Sequence, residues 1–154
     1  MEKNVVSHQF GEVRNKASYL FFKRLFDISI SLVGMIVLVI VTIILAIFYS
    51  FGKNKGKIFF SQERIGLNGK RFKIYKLRSM YSDAEKDGYQ WAMKNDVRIT
   101  KVGHFIRKTR IDELPQLFNV LRGDISLVGP RALVPGELRN YGDRSLLLTV
   151  KSGL

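Results

Sequence analysis

The longest apolar run in the chain covers residues 28–52, roughly 25 positions without a charged side chain. About 20 apolar residues are enough for a helix to cross the hydrocarbon core of a bilayer. The run is apolar on all sides instead of along one face. Phe48, Tyr49 and Phe51 gather at its end, where a membrane interface favours aromatic side chains. The pattern predicts a membrane helix within residues 23–52, with a buried core helix as the alternative.

Basic side chains flank this run on both sides, with Lys23 and Arg24 before it and three lysines among residues 53–57 after it. Positive charge favours the cytoplasmic side of a membrane, so matched flanks do not fix the orientation of a simple span. A straight span is the simpler prediction, because a helix that enters and leaves on one face needs a break, and Gly34 is only a weak signal for one. Asp27 is costly at the edge of a membrane, which predicts a charged partner such as Lys23 or Arg24.

The remaining segments predict a leader and a small globular part. Residues 1–22 are polar and mixed, which fits an interfacial leader. Residues 53–154 contain no second long apolar run, so they are expected to be globular. Within them, β-like stretches at 58–60 and 72–77 flank Asn68-Gly69, and Asn-Gly is the strongest short signal for a hairpin.

Four helices are predicted after the hairpin. A capping box at its start predicts a helix over residues 82–94, and residues 100–108 form a second candidate. The third covers residues 111–122, and its Pro115 is acceptable only in the first turn. The fourth, over residues 135–141, is short. The chain is therefore predicted to be α+β and mainly helical, with a small β-hairpin.

The net charge of +13 and the pI near 10.2 of this 154-residue chain indicate an anionic partner. Nucleic acid, an anionic membrane surface and a phosphorylated substrate are the three candidates. The run KRFKIYKLR at residues 70–78 alternates cations with aromatics, as in single-stranded nucleic-acid binders or in a solvated strand. The absence of Cys excludes disulfides, a thiol nucleophile and Cys-based zinc sites, so a metal would be a hard cation held by carboxylates and phosphates.

Asp112 and Glu113 are the leading candidates for chemistry. Pro115 places both in the first turn of the third predicted helix, where backbone N–H groups and the helix dipole favour ionised carboxylates. An ionised Asp can bind a hard cation or attack phosphorus, although acids in a first turn also occur as simple complements of the dipole. The cations just upstream suit either a phosphorylated substrate or anionic lipid headgroups; they are Arg107, Lys108 and Arg110.

Several short segments follow one another in a fixed order: KRLFD at residues 23–27, FFSQERIG at 59–66, FKIYKLRSM at 72–80, KND at 94–96 with Arg98, DELPQL at 112–117, and NVLRGD through GPR at 119–131. Taken together, they resemble the bacterial sugar transferase family, the monotopic phosphoglycosyl transferases, in its minimal single-domain type. The resemblance covers residues 23–154.

The resemblance implies a reaction. A sugar 1-phosphate passes from a UDP-sugar to polyprenyl (undecaprenyl) phosphate, which releases UMP and initiates synthesis of a surface glycan or exopolysaccharide. It also implies contact with phospholipid of the bacterial inner membrane, a catalytic domain on the cytoplasmic face, Mg²⁺ as the cofactor and no nucleic-acid partner. It leaves the formation of a homo-oligomer open.

The resemblance further implies roles for individual residues. The residue matching Asp112 is the nucleophile, forms a covalent aspartyl-phosphosugar intermediate and contacts the metal, while Glu113 supports it. The substrate phosphates are expected to be bound by four cationic residues, Arg131, Lys76, Arg78 and Arg64.

The chain departs from the family pattern in three places. One is Ala132, where the family usually repeats Pro after Gly-Pro-Arg. The family's membrane helix is re-entrant with a Ser-Pro break, and neither residue stands at the matching Val39-Ile40, so re-entrant and spanning helices are both carried forward. The family also continues past the segment that ends this chain. Residues 53–154 are therefore expected to be a cytoplasmic catalytic domain truncated at its C-terminus.

Overall fold

The computed structural model describes residues 17–51, 55–84, 93, 96–135 and 149–154. In chain order the elements are α1 (Ala17–Tyr49), β1 (Phe59–Ile65), β2 (Arg71–Leu77), α2 (Lys101–Lys108), α3 (Gln116–Arg122) and β3 (Ser126–Arg131). This is the predicted α+β class. Of the helix predicted over residues 82–94, only residues 82–84, which form a turn, and residue 93 are described. The helix predicted over residues 135–141 lies outside the described residues after its first position.

α1 is one uninterrupted helix of 33 residues. It continues through Gly34 and Thr42, so it lacks the break that a re-entrant path would need. At 1.5 Å per residue its length is about 50 Å. By length and composition, it is apolar enough to cross a membrane. It begins at Ala17, so the aromatic cluster at residues 19–22 lies on its first turns.

Only a narrow stripe of α1 is buried against the globular part. Gly34 lies close to α3 there, since a Cβ at this position would lie 2.4 Å from Leu117 Cδ1. The other sides of the helix expose large apolar side chains along most of its length. We call the buried residues the α1 stripe; they are Asp27, Ser31, Leu38, Leu45 and Tyr49.

Both ends of the α1 stripe bind the same globular part. Near the start, Asp27 accepts a hydrogen bond from Ser126 Oγ at 2.7 Å. Near the end, the Tyr49 hydroxyl donates to the backbone carbonyl of Arg78. These two anchor residues are about 33 Å apart along the helix, close to the ~30 Å of a bilayer's hydrocarbon core. The globular part therefore contacts α1 near both ends of a stretch about as long as that core is thick.

The hairpin is confirmed. β1 and β2 pair antiparallel, with Phe59 opposite Leu77 and Ile65 opposite Arg71. The connection contains a 3₁₀ turn, Leu67–Gly69, in which Asn68 has φ 55° and the glycine has φ 73°. Asn and Gly are the residues that tolerate this left-handed conformation, which explains why the dipeptide predicted the turn.

The second predicted helix is confirmed as α2. Its N-cap is Thr100, whose hydroxyl accepts a hydrogen bond from the backbone N–H of Gly103 at 2.8 Å. Capping by a threonine hydroxyl satisfies one of the N–H groups that a helix start leaves without a partner.

The third predicted helix is wrong in one detail. Residues 111–122 do not form one helix: a 3₁₀ turn, Ile111–Glu113, precedes α3, and Pro115 is the N-cap of α3. Proline has no N–H to give to a preceding helical turn, so the α-helix starts after it. The two acids therefore lie in a separate turn, outside the first turn of α3. Gly123 ends α3 in the left-handed conformation with φ 87°, which glycine adopts without strain.

The second half of α1 completes the hydrophobic core. Leu38, Leu45 and Tyr49 form one buried cluster with Leu77 of β2 and Ile106 of α2. The second half of α1, although apolar enough to cross a membrane, therefore also forms part of the hydrophobic core of the globular part. The cluster explains why the helix and the domain pack as one body along the α1 stripe.

Candidate active site

A cavity of about 460 Å³ opens between the end of β2, α2 and the 3₁₀ turn Ile111–Glu113. It brings together all six residues that the sequence singled out, although they come from four separate parts of the chain. They are Arg64, Lys76, Arg78, Asp112, Glu113 and Arg131.

A close backbone contact holds α2 against this cavity. A Cβ at Gly103 would lie 1.8 Å from the carbonyl oxygen of Ser79, so only glycine allows the approach. Thr100 N–H donates to the same carbonyl at 3.0 Å. One turn after the glycine, Arg107 Nε donates to Ser79 Oγ at 2.7 Å, which places its guanidinium in the cavity wall.

Asp112 is buried, with 8% of its surface exposed, and its Oδ1 atom has no hydrogen-bond partner. Burial raises the pKa of Asp112, and the neighbouring charge of Glu113 also raises it, whereas Lys76 and Arg107 act in the opposite direction. An unpaired buried carboxylate oxygen is costly for the fold. Such an atom is available to a cation or to an electrophilic phosphorus.

Glu113 is in a different electrostatic environment. Burial on its own would raise the pKa of Glu113, but the hydrogen bond and charge of Lys76, together with the charges of Arg110 and Arg131, lower it overall. Lys76 Nζ lies 2.9 Å from Glu113 Oε1, and both side chains are mostly buried. Two adjacent carboxyl groups therefore have pKa values shifted in opposite directions, as in acid and base pairs of known active sites.

Two of the three predicted phosphate-binding arginines are already bound by the protein. Arg64 is buried and donates to the carbonyl of Ala132 at 3.2 Å and to Gln62 Oε1 at 2.7 Å. Arg78 lies over the ring of Tyr49, 4.4 Å from its centroid, and donates to Ser82 Oγ at 2.9 Å. These contacts hold the cavity walls in place, and phosphate binding by the two arginines stays a prediction.

The residues present suit a magnesium ion that is held mainly by substrate. Among the described residues, no three His, Cys, Asp or Glu side chains come together as a metal cage. Mg²⁺ is usually bound by one or two carboxylates plus substrate phosphates and water. The unpaired Oδ1 of Asp112 supplies such a carboxylate oxygen.

Other residues of the cavity were weakly marked or unmarked in the sequence. In the sequence, Arg107 and Arg110 stand out only as cations close to the two acids, and the structure places both in the cavity wall. Ser79 had no signal of its own. Asp96 and Arg98, from a family segment, form a fork-shaped ion pair with a shortest distance of 2.6 Å, outside the cavity lining.

The family model of bacterial sugar transferases matches residues 18–154. The chain therefore belongs to the bacterial sugar transferase family, a family of transferase enzymes, and the resemblance seen in the sequence is confirmed.

Named relatives agree with this family. A Bacillus subtilis protein, named as a candidate undecaprenyl-phosphate N-acetylgalactosaminyl 1-phosphate transferase, is 49% identical over 124 residues, 80% of this chain and 69% of that protein. The undecaprenyl-phosphate galactose phosphotransferase of Salmonella typhimurium is 42% identical over 146 residues, 83% of this chain and 30% of that protein. The UDP-glucose:undecaprenyl-phosphate glucose-1-phosphate transferase of Klebsiella pneumoniae is 46% identical over 130 residues, 83% of this chain and 27% of that protein. The chain thus spans under a third of the last two proteins.

Proposed function

We propose that this chain carries the transfer of a sugar 1-phosphate from a UDP-sugar to undecaprenyl phosphate. The observation that carries the proposal is Asp112, a buried carboxylate with an unpaired oxygen in a cavity lined by cations. A carboxylate in that setting can act as a nucleophile toward phosphorus, and the cations can neutralise a diphosphate. The names of the three relatives support undecaprenyl phosphate as the acceptor.

The proposed reaction has two balanced steps. A carboxylate oxygen of Asp112 attacks the sugar-bearing phosphorus of the UDP-sugar, the bond from that phosphorus to the bridging oxygen breaks, and UMP leaves with the electron pair. A phosphate oxygen of undecaprenyl phosphate then attacks the same phosphorus, and the bond to Asp112 breaks to restore the carboxylate. Splitting one transfer between two anions into two displacements lowers each barrier.

The surrounding cations supply most of the proposed stabilisation. Lys76 lies beside Glu113 at 2.9 Å, and Arg107 and Arg131 line the same cavity. Fixed positive charges around a transferring phosphoryl group stabilise the transition state without reorganising during the reaction. Mg²⁺ held by Asp112 and the substrate phosphates would add charge neutralisation at the diphosphate.

The exposed faces of α1 supply the proposed contact with phospholipid of the inner membrane. Because both ends of the helix bind one globular part, we propose that α1 lies along the membrane surface with its outward faces in the acyl chains. The basic globular part then lies on the cytoplasmic face of the membrane, next to the anionic headgroups of that leaflet. There it can bind both a water-soluble donor and a lipid acceptor.

The direct test of the function is release of UMP. Purified protein, preferably in its natural full length, is mixed with undecaprenyl phosphate, Mg²⁺ and each of UDP-glucose, UDP-galactose and UDP-N-acetylgalactosamine. At least one donor is expected to give UMP and a lipid-linked sugar diphosphate in equal amounts. Release of free sugar phosphate without lipid product, or no release with any UDP-sugar, would rule out the proposed transfer.

Both ends of α1 are expected to lie on the cytoplasmic side. The chain has no native Cys, so Ala17→Cys and Lys55→Cys give single labelling sites at exposed positions before and after the apolar segment. A cysteine at exposed Arg71 reports the side of the globular part. In intact cells, a membrane-impermeant maleimide should label none of the three, and it should label all three after the inner membrane is opened. Labelling of one α1 end alone in intact cells would establish a crossing helix.

Loss of the Lys76 charge is expected to lower activity and to change its pH dependence. In Lys76→Met, kcat/KM should fall about 10²-fold, because a charged donor near the phosphates is lost. Lys76 lowers the pKa of both Glu113 and Asp112, so its removal raises both and shifts the acidic limb of the pH profile to higher pH. Lys76→Arg keeps the charge and should keep the limb in place. A uniform loss with an unshifted limb would assign Lys76 a purely structural part.

A further inference from the structure

One residue at the rim of the cavity has a backbone conformation that its type rarely adopts. Arg110, between α2 and the turn Ile111–Glu113, has φ 59° and ψ 13°, in the left-handed region. Among the described residues, the other non-glycine residue with positive φ is Asn68, in the hairpin turn. Asn tolerates this region through its short polar side chain, whereas Arg does so only at a cost. Gly or Asn at position 110 would therefore fit the fold with less strain.

The side chain of Arg110 contributes little to the stability of the fold. It is 80% exposed, and its ion pair with Glu113 is long, at 3.8 Å. Lys76 already holds the same carboxylate at 2.9 Å. Exposed ion pairs of this kind contribute little to stability. The guanidinium can therefore leave Glu113 at a small cost in free energy. A strained residue whose side chain does not stabilise the fold points to a role in ligand binding.

Arg110 also lies where two cavities meet. The first is lined by Asp112, and the second, of about 420 Å³, is not, although both are lined by Arg110 and Glu113. Apolar side chains line parts of both cavities, Phe60 and Leu77 in the first and Ile74 and Ile125 in the second. A ligand with two bulky groups joined by a diphosphate fits such a pair, with one group in each cavity and the phosphates at the shared rim. The residues that line both cavities are Arg64, Lys76, Arg110, Glu113 and Arg131.

We propose that Arg110 binds the diphosphate of the donor nucleotide-sugar and turns from Glu113 to the phosphate oxygens when the donor enters. This inference rests on the proposed function. The planar guanidinium offers paired hydrogen bonds that match phosphate geometry. The acceptor has one phosphate and one bulky group, so it needs only the cavity that holds Asp112. Arg110 is therefore a donor-binding residue with little effect on the acceptor.

Substitutions at position 110 separate ligand binding from a structural part. Arg110→Asn and Arg110→Gly remove the charge and suit the left-handed backbone. Arg110→Lys keeps the charge but lacks the paired N–H donors of the guanidinium. The first two should raise KM for the UDP-sugar about tenfold or more and leave KM for undecaprenyl phosphate within about twofold. Their melting temperature should stay level or rise by about 2–4 °C. Arg110→Lys should raise KM for the donor by less.

A matched control is Arg71→Gln. Arg71 is also exposed and forms a long ion pair, 3.6 Å from Glu63, but it lines neither cavity. This variant should leave both KM values and the melting temperature unchanged. An unchanged KM for the donor in Arg110→Asn, or a lowered melting temperature with equal losses for both substrates, would overturn the assignment.

Direct binding separates this inference from the proposed function. In protein carrying Asp112→Asn, UDP binding is measured by calorimetry with and without Arg110→Asn, so no turnover is required. Weaker binding of UDP by about tenfold in the double variant supports the role of Arg110 whether or not transfer is observed. Equal binding in the two proteins contradicts it, even where the wild-type protein releases UMP normally.

Discussion

Asp112→Asn is expected to abolish transfer, with kcat/KM lower by at least about 10³-fold. The amide has nearly the same shape as the carboxylate, but it cannot act as an anionic nucleophile toward phosphorus or as a charged ligand for Mg²⁺. UMP release with the preferred UDP-sugar measures the loss. In the wild-type protein, quenching before the acceptor is added should leave one sugar phosphate on the peptide that contains residue 112, and the Asn variant should carry none.

The same substitution is expected to raise stability at neutral pH. Burial raises the pKa of Asp112 above that of the unfolded chain, so the folded state holds the proton more tightly. The free energy of unfolding therefore falls as the pH rises from the unfolded pKa through the folded pKa, and the loss is complete above the folded pKa. Asn has no such loss, so its advantage in melting temperature should grow with pH and vanish in acid.

Glu63→Gln is a suitable control for both measurements. Glu63 is an exposed acid on the hairpin, paired with Arg71 at 3.6 Å and outside the lining of both cavities. Its amide should change neither UMP release nor the pH dependence of melting. Normal turnover by Asp112→Asn excludes Asp112 as the nucleophile, and a variant that is inactive because it melts earlier leaves its chemical role unsupported.

The parts of the fold that the sequence predicts well are those with a local cause. The hairpin follows from Asn68-Gly69, whose residues tolerate left-handed turns, and α2 lies in the segment predicted to be helical, with a local cap at Thr100. The sequence also predicts the two site acids, but it does not predict the separate turn in which they lie. The apolar spacing of residues 111–122 continues across Pro115 as in one helix, while the missing N–H of proline and the left-handed Arg110 separate the turn from α3.

Contacts between distant parts of the chain could not be predicted in this way. Arg107 enters the cavity because the backbone at Gly103 touches Ser79, and no periodicity in the sequence records that approach. The position of α1 is a similar case. Its run is apolar on all sides, so the few small or polar residues that face the globular part, such as Ser31 and Gly34, do not stand out against the exposed apolar majority.

A polar clamp fixes the start of α1 to the globular part. Asp27 is 4% exposed and accepts hydrogen bonds from Ser126 Oγ at 2.7 Å and from the backbone N–H of Leu127 at 3.2 Å. Lys23 pairs with it at 3.4 Å, as predicted, and also bonds the Ser126 hydroxyl. Arg24, the other predicted partner, instead donates to two carbonyls in the last turn of α3, at 2.6 and 2.7 Å. Cations at a helix C-terminus satisfy its unpaired carbonyls and its dipole.

Asp27→Ala is expected to lower the free energy of unfolding by about 3 kcal/mol, because it leaves the Lys23 ammonium, the buried Ser126 hydroxyl and the Leu127 N–H without their acceptor. The melting temperature in detergent should fall by about 6–12 °C, and protease should cut between α1 and β1 sooner. Ser31→Ala is the matched control one turn further along the α1 stripe, since its buried hydroxyl has no partner and its loss should be neutral or stabilising. Equal effects of the two substitutions would mean that packing along the α1 stripe, and not the polar clamp, holds α1 to the globular part.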